Sequence, residues 1–126
     1  MSDHSSRRVY VVDDEQVIAF TLAAILKNVR FDATPFTNPL HALQAASNAR
    51  PDLLISDVMM PEMTGIELGI RFREEFPDCR IVLFSGQSAT ADLLEEARIQ
   101  GHNFIILEKP IHPKDLLAAI NRLTIN

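Results

Sequence analysis

The chain has 126 residues, a formal net charge of −5 and 47% hydrophobic residues. That is the size of one ordinary domain, 1–126, and too apolar for a disordered chain. The acid excess argues against generic nucleic-acid binding, and no apolar run approaches the roughly 20 residues of a membrane span.

The opening MSDHSSRR lacks the apolar stretch of a signal peptide, so residues 1–7 read as a loose tail. Arg8–Val12 reads as a buried strand. In Glu15–Val29 the apolar residues Ile18, Leu22, Ile25, Leu26 and Val29 follow helical spacing. Ala33–Thr37 is a weak strand, which Pro35 confines to a sheet edge. Asn38-Pro39 caps and opens a helix to about Ala49. Leu53–Ser56 is a third strand, with Asp57 at its tip, and Pro61 prevents the strand from continuing. Thr64 and Glu67 have capping-box spacing for a helix over Gly65–Phe76. Arg80–Phe84 is a fourth strand. Ser88 or Thr90 can cap a helix with few large apolar residues, ending near Gln100 with Gly101 as its stop. Asn103–Leu107 is a fifth strand. His112-Pro113 opens a last helix with Leu116, Leu117, Ile120 and Leu123 inside.

Strand and helix thus alternate five times. Such alternation predicts an α/β fold, a doubly wound (βα)5 parallel sheet of flavodoxin-like type. With the polar second strand at an edge, the strand order is 2-1-3-4-5. Ligands of such sheets bind beyond the carboxyl ends of the strands, at the switch point between strands one and three. The strand tips carry Asp13 and Asp14, then Asp57, then Ser85, then Lys109. Three carboxylates together repel, by about 4 kcal/mol per pair at ~4 Å and an effective dielectric of ~20. A hard cation relieves this, and carboxylate oxygens with water suit Mg²⁺. Lys109 and Ser85 serve an anion held against that cation. The set fits phosphoryl transfer, with one Asp as covalent nucleophile.

These residues carry a resemblance. Val11-Val12-Asp13-Asp14-Glu15, Asp57-Val58-Met59-Met60-Pro61 with Gly65 and Glu67, Ser85-Gly86 and Lys109-Pro110 resemble the response-regulator receiver domain over nearly the whole chain. The resemblance implies that Asp57 accepts a phosphoryl group from a partner phosphohistidine, on a sensor histidine kinase or a histidine phosphotransfer protein. It implies Asp14 and Asp57 as direct Mg²⁺ ligands, with the Met59 backbone carbonyl, and Asp13 acting through water. Lys109 grips the phosphoryl oxygens, and Ser85 is the switch hydroxyl that moves onto them. Met59 and Gln87 flank the path of the attacking water. Lys109-Pro110 is a candidate cis bond.

Cys79 is the only cysteine, so no intrachain disulfide is possible and a reducing cytoplasm fits. The resemblance also implies that the protein's output goes to a downstream protein or output domain, without direct contact with nucleic acid or membrane. A homodimer through the fourth helix, fifth strand and fifth helix is open to it. The sequence departs from the family in its relay. Ile106 stands where Tyr or Phe is usual, Phe104 is displaced from that place, Gly101 to Lys109 is one residue longer, and Ile111 replaces a common Phe. Because Ile χ1 is stiff, the switch is expected in the loop and helix after Ser85.

Two alternatives stand beside a single-domain regulator. One is a receiver fragment of a longer regulator or hybrid kinase. The other is a phosphatase with an aspartyl-phosphate intermediate, which needs a second Asp where Met59 stands. His4, His41, His102 and His112 lack metal-ligand spacing. Met60 reads as packing, and Arg71, Arg73 and Arg98 read as solvated helix charges.

Overall fold

Apolar runs of four to six residues are too short for helices and become strands, the central three buried almost throughout and the two edge strands only in part. In the computed structural model, which describes residues 7–86 and 90–124, they are β1 (Arg8–Val12), β2 (Asp32–Phe36), β3 (Leu53–Asp57), β4 (Arg80–Ser85) and β5 (Ile105–Glu108). The helices between and after them are α1 (Gln16–Asn28), α2 (Pro39–Asn48), α3 (Gly65–Glu75), α4 (Thr90–Ile99) and α5 (Pro113–Thr124). All pairings are parallel, in the order β2-β1-β3-β4-β5. The expected topology and the edge position of the proline-bearing strand are both borne out. Residues 1–6, with Gln87 and Ser88, lie outside the described residues, as does the side chain of Leu123.

Alternation along the strands sorts the core into two layers. Tyr10, Val12, Leu54, Ile81 and Leu83 face Leu43 of α2, Leu68 and Phe72 of α3 and Ala97 of α4. Val9, Val11, Ile55, Val82 and Phe84 face Leu22 and Leu26 of α1 and Leu116 and Ile120 of α5. The helix ends follow their capping residues. Asn38 accepts the Leu40 N–H at 2.8 Å, with Pro39 in the first turn. Thr64 and Glu67 close a reciprocal capping box. Beyond α4, the N–H groups of Gly101 and His102 donate to the carbonyls of Arg98 (2.9 Å) and Ala97 (2.8 Å), and Gly101 takes φ +95°. That is the paired-bond helix stop for which glycine is suited.

One boundary moved. The fifth strand was expected over Asn103–Leu107 but runs Ile105–Glu108. The Asn103 carbonyl is occupied by the Arg73 guanidinium rather than by a ladder bond, and pairing to β4 starts only at Ile105, opposite Val82. Phe104 therefore precedes the strand.

Candidate functional site

Register decides what the strand ends present. Val12 lies opposite Ser56, Asp57 opposite Phe84, and Ser85 opposite Glu108. The residues at and just past those positions, Asp13, Asp57, Ser85 and Lys109, thus share one rim. Asp13 is fixed by its backbone N–H, which donates to the Phe36 carbonyl at 3.0 Å. Its Oδ1 accepts the Glu15 N–H at 2.8 Å as the chain turns into α1. Asp57 is followed by Val58, whose N–H donates to the Phe84 carbonyl at 3.0 Å. The chain then returns, and the Gly65 N–H donates to the Val58 carbonyl at 2.8 Å. A Cβ at Gly65 would fall 2.0 Å from the Asp57 carbonyl oxygen, so only glycine lets α3 start against the acid-bearing strand.

Ligand oxygens of Asp13, Asp14 and Asp57 lie within 4.8 Å of one another. Asp13 and Asp57 are buried and Asp14 is exposed. The Lys109 Nζ stands 3.2 Å from Asp57 Oδ2 and 3.5 Å from Asp13 Oδ2. It also lies 5.2 Å from the centre of the Phe84 ring. The Lys109 backbone N–H donates to the Ser85 carbonyl at 3.0 Å, which ties the lysine to the end of β4. The Lys109-Pro110 bond is cis, as the resemblance implied. The Lys109 stem runs past Gly86, where a Cβ would come within 3.3 Å of it. Asp14, Glu15, Asp57, Met59, Gly86 and Lys109 line a cavity of about 310 Å³. Met59 is 44% exposed at its edge, while Met60 is buried in the core as expected.

Electrostatics match this geometry. Burial pushes the Asp13 carboxyl up to about 6, against the Glu15 N–H; the Asp57 charge adds to the rise and Lys109 opposes it. Asp57 is also raised, first by burial, with Lys109 and the Met59 N–H pulling the other way. For Lys109, burial lowers the value, but the two carboxylates together outweigh it and the net shift is upward. A cluster of acids held at this cost is what a bound cation would relieve. The three carboxylates offer the all-oxygen donor set of a hard divalent ion.

The site residues expected from sequence, Asp13, Asp14, Asp57, Ser85 and Lys109, meet on this rim, with Met59 beside them. Gln87 lies outside the described residues. Ile106 and Phe104 do not reach the site; both pack against the core layer of α2, α3 and α4. Arg73 was read as a solvated charge. Instead it lies over the Phe104 ring, its Cζ 4.0 Å from the centroid. Gly65, Gly69 and Gly86 mark close approaches between distant segments; Gly65 and Gly86 stand in the motifs quoted above, and for Gly69 the signal is a glycine in mid-helix.

Residues 9–121 match the response regulator receiver domain. The chain belongs to the response-regulator receiver family. Among similar proteins, the response regulator receiver protein CpdR of Brucella abortus is 30% identical over 94% of this chain and 98% of its own length. The DNA-binding response regulator MtrA of Mycobacterium tuberculosis is also 30% identical, over 94% of this chain. The chain spans about half the length of MtrA. Among solved structures, the chemotaxis protein CheY4 of Vibrio cholerae superposes with TM-score 0.78 at 28% identity, covering 92% of this chain and 97% of that one. An uncharacterised protein from Neptuniibacter caesariensis superposes at 0.86 with 32% identity, over 95% and 88%. The protein is thus a receiver domain of two-component signalling. Its acidic cluster is of a kind that can bind a metal, and no helix among its described residues is long and apolar enough to cross a membrane.

Proposed function

We propose that this receiver takes a phosphoryl group onto Asp57 from a phosphohistidine of a sensor histidine kinase or a phosphotransfer protein, with Mg²⁺ as cofactor. The observation that carries this is the Lys109 ammonium poised 3.2 Å from Asp57, beside two further carboxylates. An Asp57 carboxylate oxygen attacks phosphorus, the P–N bond breaks, and the imidazole leaves with its electron pair. Asp13, Asp14 and Asp57, with the Met59 carbonyl, would hold the metal, which supplies charge neutralisation for the incoming phosphoryl oxygens. Lys109 exchanges its carboxylate partners for those oxygens. Ser85, at the end of β4, donates its hydroxyl to them, and the segment after it follows.

The reaction is self-modification, not turnover of a small substrate. Its output passes to a downstream protein or output domain through the face of α4, β5 and α5, or to a second copy on that face. The lone Cys79 is buried and its thiol is pushed up to about 12, first by burial, so it is inert as a nucleophile. We place the protein in the cytoplasm, where the kinase cores of such systems work. The phosphatase alternative is disfavoured because Met59, not an acid, stands two residues past Asp57. Incubation with acetyl phosphate and Mg²⁺ should add one phosphoryl mass to the intact protein and none to Asp57→Asn. An adduct that persists in Asp57→Asn, or forms equally with chelator, would refute the assignment.

A further inference from the structure

Gly69 lies inside α3, where glycine weakens a helix relative to alanine. The space its side chain would take is filled from elsewhere. A Cβ at Gly69 would come within 2.8 Å of Phe104 Cε1 and 3.2 Å of Cζ. Ile81 of β4 borders the same notch. One helical turn beyond Gly69, Arg73 covers the ring with its guanidinium, 4.0 Å from the centroid. The same guanidinium donates to the Asn103 carbonyl. Burial lowers the Arg73 pKa, in keeping with a cation drawn partly out of water. The edge of the ring is therefore seated on α3 and its face is lidded by α3.

This clamp sits just after the stop of α4, where the Gly101 and His102 N–H groups close the helix. The segment just past the C-terminal end of α4 is thus tied to α3 through Asn103 and Phe104, which meet Gly69 and Arg73. The helix itself is lightly held. Among its described side chains only Ala97 is buried, while Leu93 and Leu94 are half-buried. Its other end follows Ser85 and Gly86 at the acid cluster. The base of the clamp is firm, because α3 begins against the Asp57 carbonyl and buries Leu68 and Phe72 fully.

We propose that Phe104 is a fixed pivot for α4. The notch at Gly69 and the Arg73 lid hold the segment just past the helix's C-terminal end, so phosphorylation swings the helix's N-terminal end about that point. To act as a relay, the ring would have to leave the notch and break two Arg73 contacts. Ile106 packs in the same layer with a stiff χ1. The swing as a response to phosphate rests on Asp57 as phosphoacceptor; the clamp itself does not.

Amide hydrogen exchange on the full chain separates these two claims. Without ligand, Arg73→Gln should speed exchange over residues 102–105 by about tenfold or more, because the local opening that Arg73 suppresses becomes easier. Gly69→Ala should do the same by expelling the ring, and Arg73→Gln carries the test alone if Gly69→Ala does not fold. Unchanged exchange there overturns the clamp. With Mg²⁺ and beryllium fluoride, the wild type should change over residues 90–97 and stay constant over 102–105, and Arg73→Gln should spread the change into 102–105. A wild-type change as large at 102–105 as at 90–97 overturns the pivot. Failure of acetyl phosphate to modify Asp57 overturns the phosphoacceptor reading, while the unliganded comparison still decides the clamp.

Discussion

The sheet is gripped hard at its centre and more lightly at β5 on the face covered by α4. β1, β3 and β4 are buried almost throughout, and α3 lays Leu68 and Phe72 against them with no exposure. β5 is half-buried to exposed along its length, and α4 contributes one buried side chain among those described. The paired acids Asp13 and Asp57 stand in the tight part, and Lys109 follows the loose strand. The difference teaches how a phosphate signal can move part of so small a protein. Chemistry needs the acids held rigidly, whereas signalling needs a segment with a low cost of displacement.

The largest effect should come from packing. Phe72→Ala should cost about 3–5 kcal/mol in urea melts, as large-to-small changes in a full core do. Leu94→Ala, on the loose helix, should cost about 1 kcal/mol or less. Equal losses would erase the distinction between the two parts. Next, the strain of the acid cluster should be measurable. Mg²⁺ at about 100 times its dissociation constant should stabilise the protein by about 2.7 kcal/mol. Without metal, Asp57→Asn should stabilise it by about 1 kcal/mol, because a buried carboxylate crowded by its neighbours is replaced by a neutral amide. A less stable Asp57→Asn would mean that Lys109 compensates the crowding fully.

Protons should report the same strain. The Asp13 carboxyl titrates at about 6 in the folded protein, against an ordinary value of 3.8. Between those values the folded state holds a proton that the unfolded chain has released. The metal-free protein should therefore lose stability as pH rises through about 4 to 6 and level off above. Saturating Mg²⁺ should flatten or reverse that fall, since it binds the deprotonated acids. Melting temperatures across this window, with and without metal, test it; a metal-free Tm that climbs through the window would contradict the burial of Asp13. The last effect is kinetic and concerns Met59, which covers the edge of the cavity with an apolar side chain. Met59→Asn should shorten the life of the phosphoprotein by about two- to tenfold, up to 1.4 kcal/mol of barrier. Unchanged decay would remove Met59 as a screen.

The tight part was the legible one. Its strands are continuous apolar runs, and its helices carry caps with short-range signatures such as Asn38-Pro39 and the Thr64–Glu67 box. The acids were legible because each sits where such a run stops. The loose part was harder. Asn103 and Phe104 have the composition of a strand, but the Asn103 carbonyl is taken by Arg73 and the Phe104 ring lies against Gly69 and Arg73, ahead of the ladder. Arg73 itself, with charged neighbours on a helix, has the local pattern of a solvated residue.

By itself, then, the sequence determined the order of elements, the edge position of β2 and the set of residues at the strand tips. These follow from periodicity and from local backbone chemistry, which act over a few residues. Tertiary structure alone decided what depends on distant segments meeting. It set the 3.2 Å approach of Lys109 to Asp57, the burial that lifts both buried acids, and the seating of Phe104 in the notch at Gly69. A glycine inside a helix registers locally only as a loss of propensity. Its use appears when a ring 35 positions away fills the space, because packing couples residues by proximity in space and not along the chain.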